Sequence, residues 1–417
     1  MRFFRNLKGS LDRHRIFAYT RILLVVEIGV FLIFVAGTHG LFVPLSRPAS
    51  TDFVSFYAAG ALADAGTPEL AYDKAAHYQA EERATAIGIE YRFFYYPPVF
   101  LLLCAALARL PYLPAFLVFE AATLALYLLV AHRILGERGG SVLVPLLAFP
   151  AVFWTLGLGQ NAFLTAALFG AASLCIDRRP VLAGLLFGAL CYKPHFGLLV
   201  PVALLAGGHW RASATAFASA AALCGLSLIL FGWETWHDFL AAAAASHLTY
   251  ESGQVTFAGF VSPFGAVLLL GGTRAAAYAV QIGATLAAGF LVAVVWRRGY
   301  SLSIRAATLA AATLVAVPVV LVYDLMLAAV AGAWLIREGG FQAWEKALLA
   351  VLFVLPFNAR GIAEAWHLPI APLVPLTLLA LAAVQAFRPA ARIAPEGSQA
   401  LSYSRGSEPG PRLPMST

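Results

Sequence analysis

The sequence predicts an all-α polytopic membrane protein, and three observations carry that prediction. Hydrophobic residues make up 61% of the 417-residue chain and charged residues only 12%. Mean hydropathy is +0.80, and long apolar runs recur with short polar connections between them. Helices keep every backbone hydrogen bond within the segment, so they are the form in which such runs cross lipid. Lysine and arginine gather at alternate connections, which is the positive-inside pattern of a chain that crosses repeatedly. The net charge of +7 is read this way and not as a nucleic-acid surface.

Residues 1–21 form a basic N-terminus, with Arg2, Arg5, Lys8, Arg13, Arg15 and Arg21 against Asp12 alone, and this end is placed in the cytoplasm. The transmembrane domain spans 22–388. Its first run, Ile22 to Val43, is long enough to span and reads as an uncleaved anchor. The chain then emerges into a long outer loop, Pro44 to Pro98, with more acidic than basic residues. The periodicity of Tyr72, Ala75, Ala76 and Tyr78 predicts a helix over Tyr72–Ala86 lying on the membrane surface. From Pro98 to Ala131 the apolar stretch is broken at Arg109–Pro114, where two prolines force a turn.

Further runs follow at Val142–Leu156, Ala162–Ile176, Val181–Cys191, Phe196–Ala206, Ala212–Phe231, Ala275–Trp296, Ala306–Val322, Leu325–Ile336, Ala347–Phe357 and Pro369–Phe387. Phe260–Leu270 reads as a short outer-face helix and Trp233–Phe257 as a loop. The expected total is about twelve crossings with both termini inside. The tail, 389–417, is Pro-, Gly- and Ser-containing and is expected to be disordered. Cys104, Cys175, Cys191 and Cys224 lie in or beside apolar runs with no metal or disulfide spacing, and read as small buried residues.

This topology collects the unusual polar residues on one face: Asp52, Arg92, Gln160-Asn161, Tyr192-Lys193-Pro194-His195, His237, His247, Tyr323-Asp324 and Arg360. Each has a plain alternative. Asp52 fits an N-cap of a helix starting at Phe53. Lys193 fits an interfacial anchor, and Trp233 and Trp236 fit an aromatic belt. Glycine-rich phosphate loops, zinc-protease motifs and nucleophile elbows are absent from the sequence.

The runs Asp52-Phe53-Val54-Ser55-Phe56-Tyr57-Ala58-Ala59-Gly60, Leu70-Ala71-Tyr72-Asp73 and Phe94-Tyr95-Tyr96-Pro97-Pro98 resemble glycosyltransferase family 87. So do Gly159-Gln160-Asn161, Ala183–Gly188 leading to Tyr192-Lys193-Pro194, and Trp210-Arg211-Ala212. The resemblance covers roughly Asp52 to Asp324. One departure comes late: the Ser-Pro and the Trp or His that related sequences carry near Val317-Pro318 and Tyr323-Asp324 are reduced here to Pro318 and Asp324.

The resemblance implies a GT-C type fold and a hexosyltransferase in the cytoplasmic (inner) membrane, its active site facing the periplasm or exterior. It further implies a polyprenyl-phosphate sugar donor, mannose above all, and a lipid or glycan acceptor, with no cofactor. In that scheme Asp52 is the general base of an inverting displacement. Lys193, His195, Arg92 and Arg360 then meet the donor phosphate, while Tyr96, Gln160, Asn161 and Asp324 contribute to substrate binding. No metal cluster is indicated. The competing expectation is a lipid-linked sugar flippase or other transporter, against which stand the long outer loop and the lack of an internal repeat.

Overall fold

The computed structural model describes residues 13–37, 51–136, 142–246, 249 and 255–388. The chain divides into a compact unit, Met1–Ala386, and a terminal stretch, Phe387–Thr417. The expected tail, the outer-loop positions 44–50, Arg2, Arg5, Lys8 and His247 lie outside the described residues. Among the described residues the structure is helical, with one isolated antiparallel bridge between Phe260 and Leu321.

The first apolar run forms α1 (Arg13–Gly37). The outer loop folds into α2 (Phe53–Asp64), a 3-10 turn at Pro68–Tyr72 and α3 (Lys74–Ala84). Asp73 caps α3 by accepting from the Ala76 amide at 2.8 Å. Prolines then punctuate the chain, at the break expected over Arg109–Pro114 and also inside the run Val142–Leu156, which the sequence reads as unbroken. Pro98 opens α4 (Pro98–Ala108), Pro111 precedes α5 (Tyr112–Leu135), and Pro150 separates α6 (Leu143–Leu147) from α7 (Pro150–Leu158).

There follow α8 (Ala162–Cys175), α9 (Pro180–Gly188), α10 (Val200–Ala206) and α11 (Trp210–Ala245). The chain continues with α12 (Pro263–Leu269), α13 (Arg274–Arg297), α14 (Leu302–Ala316) and α15 (Met326–Glu338). It closes on α16 (Ala343–Val354), α17 (Ala359–Trp366) and α18 (Leu373–Phe387).

The helix at 210–245 corrects the expected loop over its first part, Trp233–Ala245. Gly232 adopts φ 80°, ψ 170° and bends the chain, and the helix resumes through the alanines 241–245. Alanine is the strongest helix former, and its run outweighs the loop-like Trp and His residues before it.

Among the described residues four helical segments are long and apolar enough to cross a bilayer by length and composition: Arg15–Ile33, Tyr112–Leu135, Trp210–Ala245 and Arg274–Arg297. A fifth arises if Ala343–Phe357 and Ala359–Trp366, bent by 68°, count as one span. Twelve crossings would need the shorter apolar helices as well, such as Ala162–Cys175 and Leu302–Ala316. Short segments of this kind are tolerated where protein shelters them.

Packing explains how such helices hold together. Every residue of α14 from Ser303 to Ala316 is buried, and most are small, so α14 forms the centre with α15 packed along it. Gly184 and Gly188, one turn apart on α9, meet Ala212 and Ala216 of α11 so closely that an added Cβ would run into their backbone. This is the small-residue contact by which apolar helices approach without a hydrophobic driving force. Gly60 of α2 is pressed in the same way against the Cys104 carbonyl of α4. The helix expected over Tyr72–Ala86 forms as α3, which buries His77, Ala80 and Glu81; Ala80 packs with Ala58 and Leu62 of α2. The outer loop is therefore a folded part of the molecule, tied to the helix that begins just after Asp52.

Candidate active site

Asp52 immediately precedes α2, in helical backbone geometry, and its side chain makes no capping bond. Its peptide N–H donates to the Leu158 carbonyl at 2.6 Å, which pins the residue to the end of α7. There Gly159 ends the helix at φ 67°, ψ 46°, a left-handed conformation open to glycine, and a Cβ at this position would meet Phe53. That turn brings the next residue back over Asp52. Gln160 Nε2 donates to Asp52 Oδ2 at 2.9 Å.

The other carboxylate oxygen faces Arg92, whose Nε lies 3.5 Å from Oδ1. Arg92 also approaches Glu90, at 3.3 Å. The Asp52 side chain keeps 23% of its surface exposed while standing deep among protein atoms. Burial raises its pKa above the ordinary aspartate value, against the opposing pull of Arg92, the Gln160 bond and the charge of Arg360. A carboxylate that is accessible, oriented by a neutral amide and made more basic by burial is suited to taking up a proton.

Tyr96 joins this group from the outer loop. Its hydroxyl donates to Gln160 Oε1 at 3.4 Å, and its own carbonyl accepts from the Tyr72 hydroxyl at 2.8 Å. Burial raises its phenol well above the ordinary value, with the charge of Asp324 the next cause, so it remains a donor. Asn161 is fully buried beside the Tyr96 hydroxyl, and neither atom of its amide reaches a hydrogen bond of ordinary geometry, although its interaction with Tyr96 pulls the phenol down. Leaving such an amide unsatisfied costs about 1–3 kcal/mol.

Lys193 sits between two 3-10 turns, Ala189–Tyr192 and Pro194–Gly197. Its Nζ donates to Asp324 Oδ1 at 2.8 Å, and both side chains are only 4% exposed. The ammonium also lies 5.0 Å from the Phe196 ring centre and 5.3 Å from that of Tyr323. Asp324 Oδ2 accepts from the Leu321 amide at 3.1 Å. The two residues singled out in the sequence thus form a buried pair.

Arg360 is partly exposed on α17, donates to Glu364 at 2.8 Å and acts on Asp52 through its charge. His195 is exposed with its ring against Phe196, and among the described residues no hydrogen bond or ion pair joins it to the Asp52 group. No three His, Cys, Asp or Glu side chains among the described residues gather as metal ligands.

The structure therefore brings Asp52, Arg92, Tyr96, Gln160 and Asn161 together, with Arg360 nearby and the Lys193–Asp324 pair within electrostatic reach of Tyr96. Two residues beneath the group escaped the sequence reading. His77 and Glu81, both fully buried on α3, lie under the segment that carries Arg92. Their i,i+4 spacing on a periodic helix was the available signal.

A model of glycosyltransferase family 87 matches residues 94–323. The match includes Tyr96, Gln160, Asn161, Lys193 and His195, ends one residue before Asp324, and leaves Asp52, Arg92 and Arg360 outside. No curated protein and no solved structure matches the chain.

Proposed function

The chain belongs to glycosyltransferase family 87, and from that premise we propose that it transfers a hexose, mannose in the first instance, from a polyprenyl-phosphate donor to a lipid or glycan acceptor. Family membership makes it a glycosyltransferase with sugar donor and acceptor substrates, and its long apolar helices make it a membrane protein. The remaining assignments are our reading of the site.

Asp52 accepts the proton of the acceptor hydroxyl as that oxygen attacks the anomeric carbon. The bond from that carbon to the phosphate oxygen breaks, and the polyprenyl phosphate leaves with the electron pair. One displacement inverts the anomeric centre, and a retaining scheme would need a second carboxylate as nucleophile. Asp324 is bound by Lys193 and the Leu321 amide, so it is poorly placed for that part. Arg92 and Arg360 are the accessible cations for the phosphate, with His195 at the rim and the Lys193–Asp324 pair behind. The unsatisfied Asn161 amide, with Tyr96, offers hydrogen bonds to a sugar hydroxyl. The site faces the periplasm or exterior of the cytoplasmic membrane in this reading.

The observation that carries the proposal is that the Asp52 carboxylate is spent on Gln160 and Arg92 and not on capping its own helix. The test is incubation of purified protein in detergent with radiolabelled polyprenyl-phosphate mannose and a membrane lipid extract. A labelled lipid or glycan product supports the reading. Absence of any product, with lipid movement across reconstituted vesicles, would reveal a flippase.

A further inference from the structure

Arg92 reaches Asp52 from a segment without regular secondary structure, residues 89–97, that is tied to α3. The Arg92 peptide N–H points at both oxygens of Glu81, at 3.2 and 3.1 Å. The Phe93 carbonyl accepts from the Ser55 hydroxyl of α2 at 3.1 Å, and the Ile89 carbonyl accepts from Tyr78 of α3 at 2.8 Å. His77 completes the frame: its Nε2 lies 3.1 Å from the Ser55 carbonyl, one turn after Asp52. His77 and Glu81 thus join the two backbones that carry Asp52 and Arg92.

The protonation of this pair follows from its contacts. A carbonyl can only accept, so His77 Nε2 carries a hydrogen. His77 Nδ1 has no hydrogen-bond partner and faces Glu81 Oε1 at 3.6 Å. At 3.6 Å the two side chains are not hydrogen-bonded, so complete burial decides their charge: separating two charges in a fully buried site is costly. Both side chains are 0% exposed. Burial pushes Glu81 up to about 8 and His77 down to about 4, which favours the uncharged form of each. The titratable groups that act on or feel Glu81 are His77 on its own helix, Tyr91 and Arg92 above it, Asp52 at the start of α2 and Tyr112 at the start of α5.

We propose that His77 and Glu81 form a neutral pair, its proton resting on Glu81 and directed toward His77 Nδ1, that positions Arg92 against Asp52. They are positioning residues, since both are fully buried and meet the segments that carry Asp52 and Arg92 at the Ser55 carbonyl and the Arg92 amide. The inference rests on the reading of Asp52 and Arg92 as active-site groups. Glu81→Gln reproduces the neutral acid, because its oxygen accepts from Arg92 and its amide donates to His77.

The test uses the full chain in detergent and two independent readouts. Infrared spectra near neutral pH should show a protonated-carboxyl band in the parent that is absent from Glu81→Gln, with the unfolding temperature unchanged. Sugar transfer should stay within about twofold in Glu81→Gln and fall about tenfold or more in Glu81→Ala. In an Arg92→Ala background, Glu81→Ala should add no further loss, because its effect runs through Arg92. Identical acid bands in parent and Glu81→Gln would overturn the neutral pair. Equal loss of transfer in the Gln and Ala variants, or full additivity with Arg92→Ala, would overturn the positioning role. A parent that transfers no sugar would end the functional reading alone, with the infrared comparison still deciding the pair.

Discussion

Lys193 Nζ donates to Asp324 Oδ1 at 2.8 Å across 131 positions of sequence, and both side chains are buried. Removing one partner leaves the other as an uncompensated buried charge, a loss of about 3–5 kcal/mol. Lys193→Ala should therefore lower the unfolding temperature in detergent and reduce transfer at least about tenfold. The double variant Lys193→Met with Asp324→Leu should restore the unfolding temperature while transfer stays low. Restored transfer would make the pair a scaffold only.

The bond from Gln160 to Asp52 gives a second prediction. Gln160→Ala should cost about tenfold in transfer, as expected for one lost bond to a charged group. Gln160→Glu should do more damage, because a carboxylate beside Asp52 raises the pKa of the pair. The pH–rate profile of that variant should shift upward relative to the parent. An unshifted profile would mean that Gln160 does not face the working base.

Topology is tested by Ala65→Cys, an exposed position between α2 and the 3-10 turn at Pro68–Tyr72. In a background lacking Cys104, Cys175, Cys191 and Cys224, an impermeant thiol reagent should label it in intact spheroplasts. Labelling only after lysis would invert the orientation read from the basic residues.

Much of this architecture was legible because lipid imposes it. The apolar runs appear as helices, and the prolines at 98 and 111 fall at helix starts where fixed φ and the missing N–H require, while Pro150 splits a run that reads as continuous. Asp52 and Gln160-Asn161 stand out because polar residues beside apolar runs are costly without a task. What stayed hidden was long-range or competitive. No local pattern pairs Lys193 with Asp324, and the N-cap reading of Asp52 was chemically sound until the structure showed its carboxylate turned to Gln160. The 233–245 segment carries tryptophans and a histidine that read as interface, yet its alanines sustain a helix past Gly232. His77 and Glu81 look like ordinary charged-helix residues until α3 is seen buried on α2.

Glu81 gives a pH dependence whose sign is fixed. Its folded pKa of about 8 lies above the ordinary value of 4.5, so the folded state keeps a proton that the unfolded chain releases. Stability from this group is full below the lower value and is lost as pH rises toward 8. His77, lowered to about 4 from 6.5, acts with the opposite sign up to its ordinary value. From about 6.5 to 8 the Glu81 contribution stands clear of it. Over that window the parent's unfolding temperature should fall more steeply than that of Glu81→Gln. Parallel curves would contradict a buried, protonated Glu81.

Asp52→Asn separates an Asp52 that takes the acceptor's proton from one that only holds the fold. Because the Asp52 side chain caps nothing, asparagine should leave the fold and the unfolding temperature in detergent unchanged. The amide keeps the size of the carboxyl but cannot accept a proton at neutral pH. The measurement is the rate of radiolabelled sugar transfer by folded Asp52→Asn protein beside the parent. A loss of about 10²-fold or more is the expected result; transfer at a near-parent rate would contradict the assignment of Asp52 as the base.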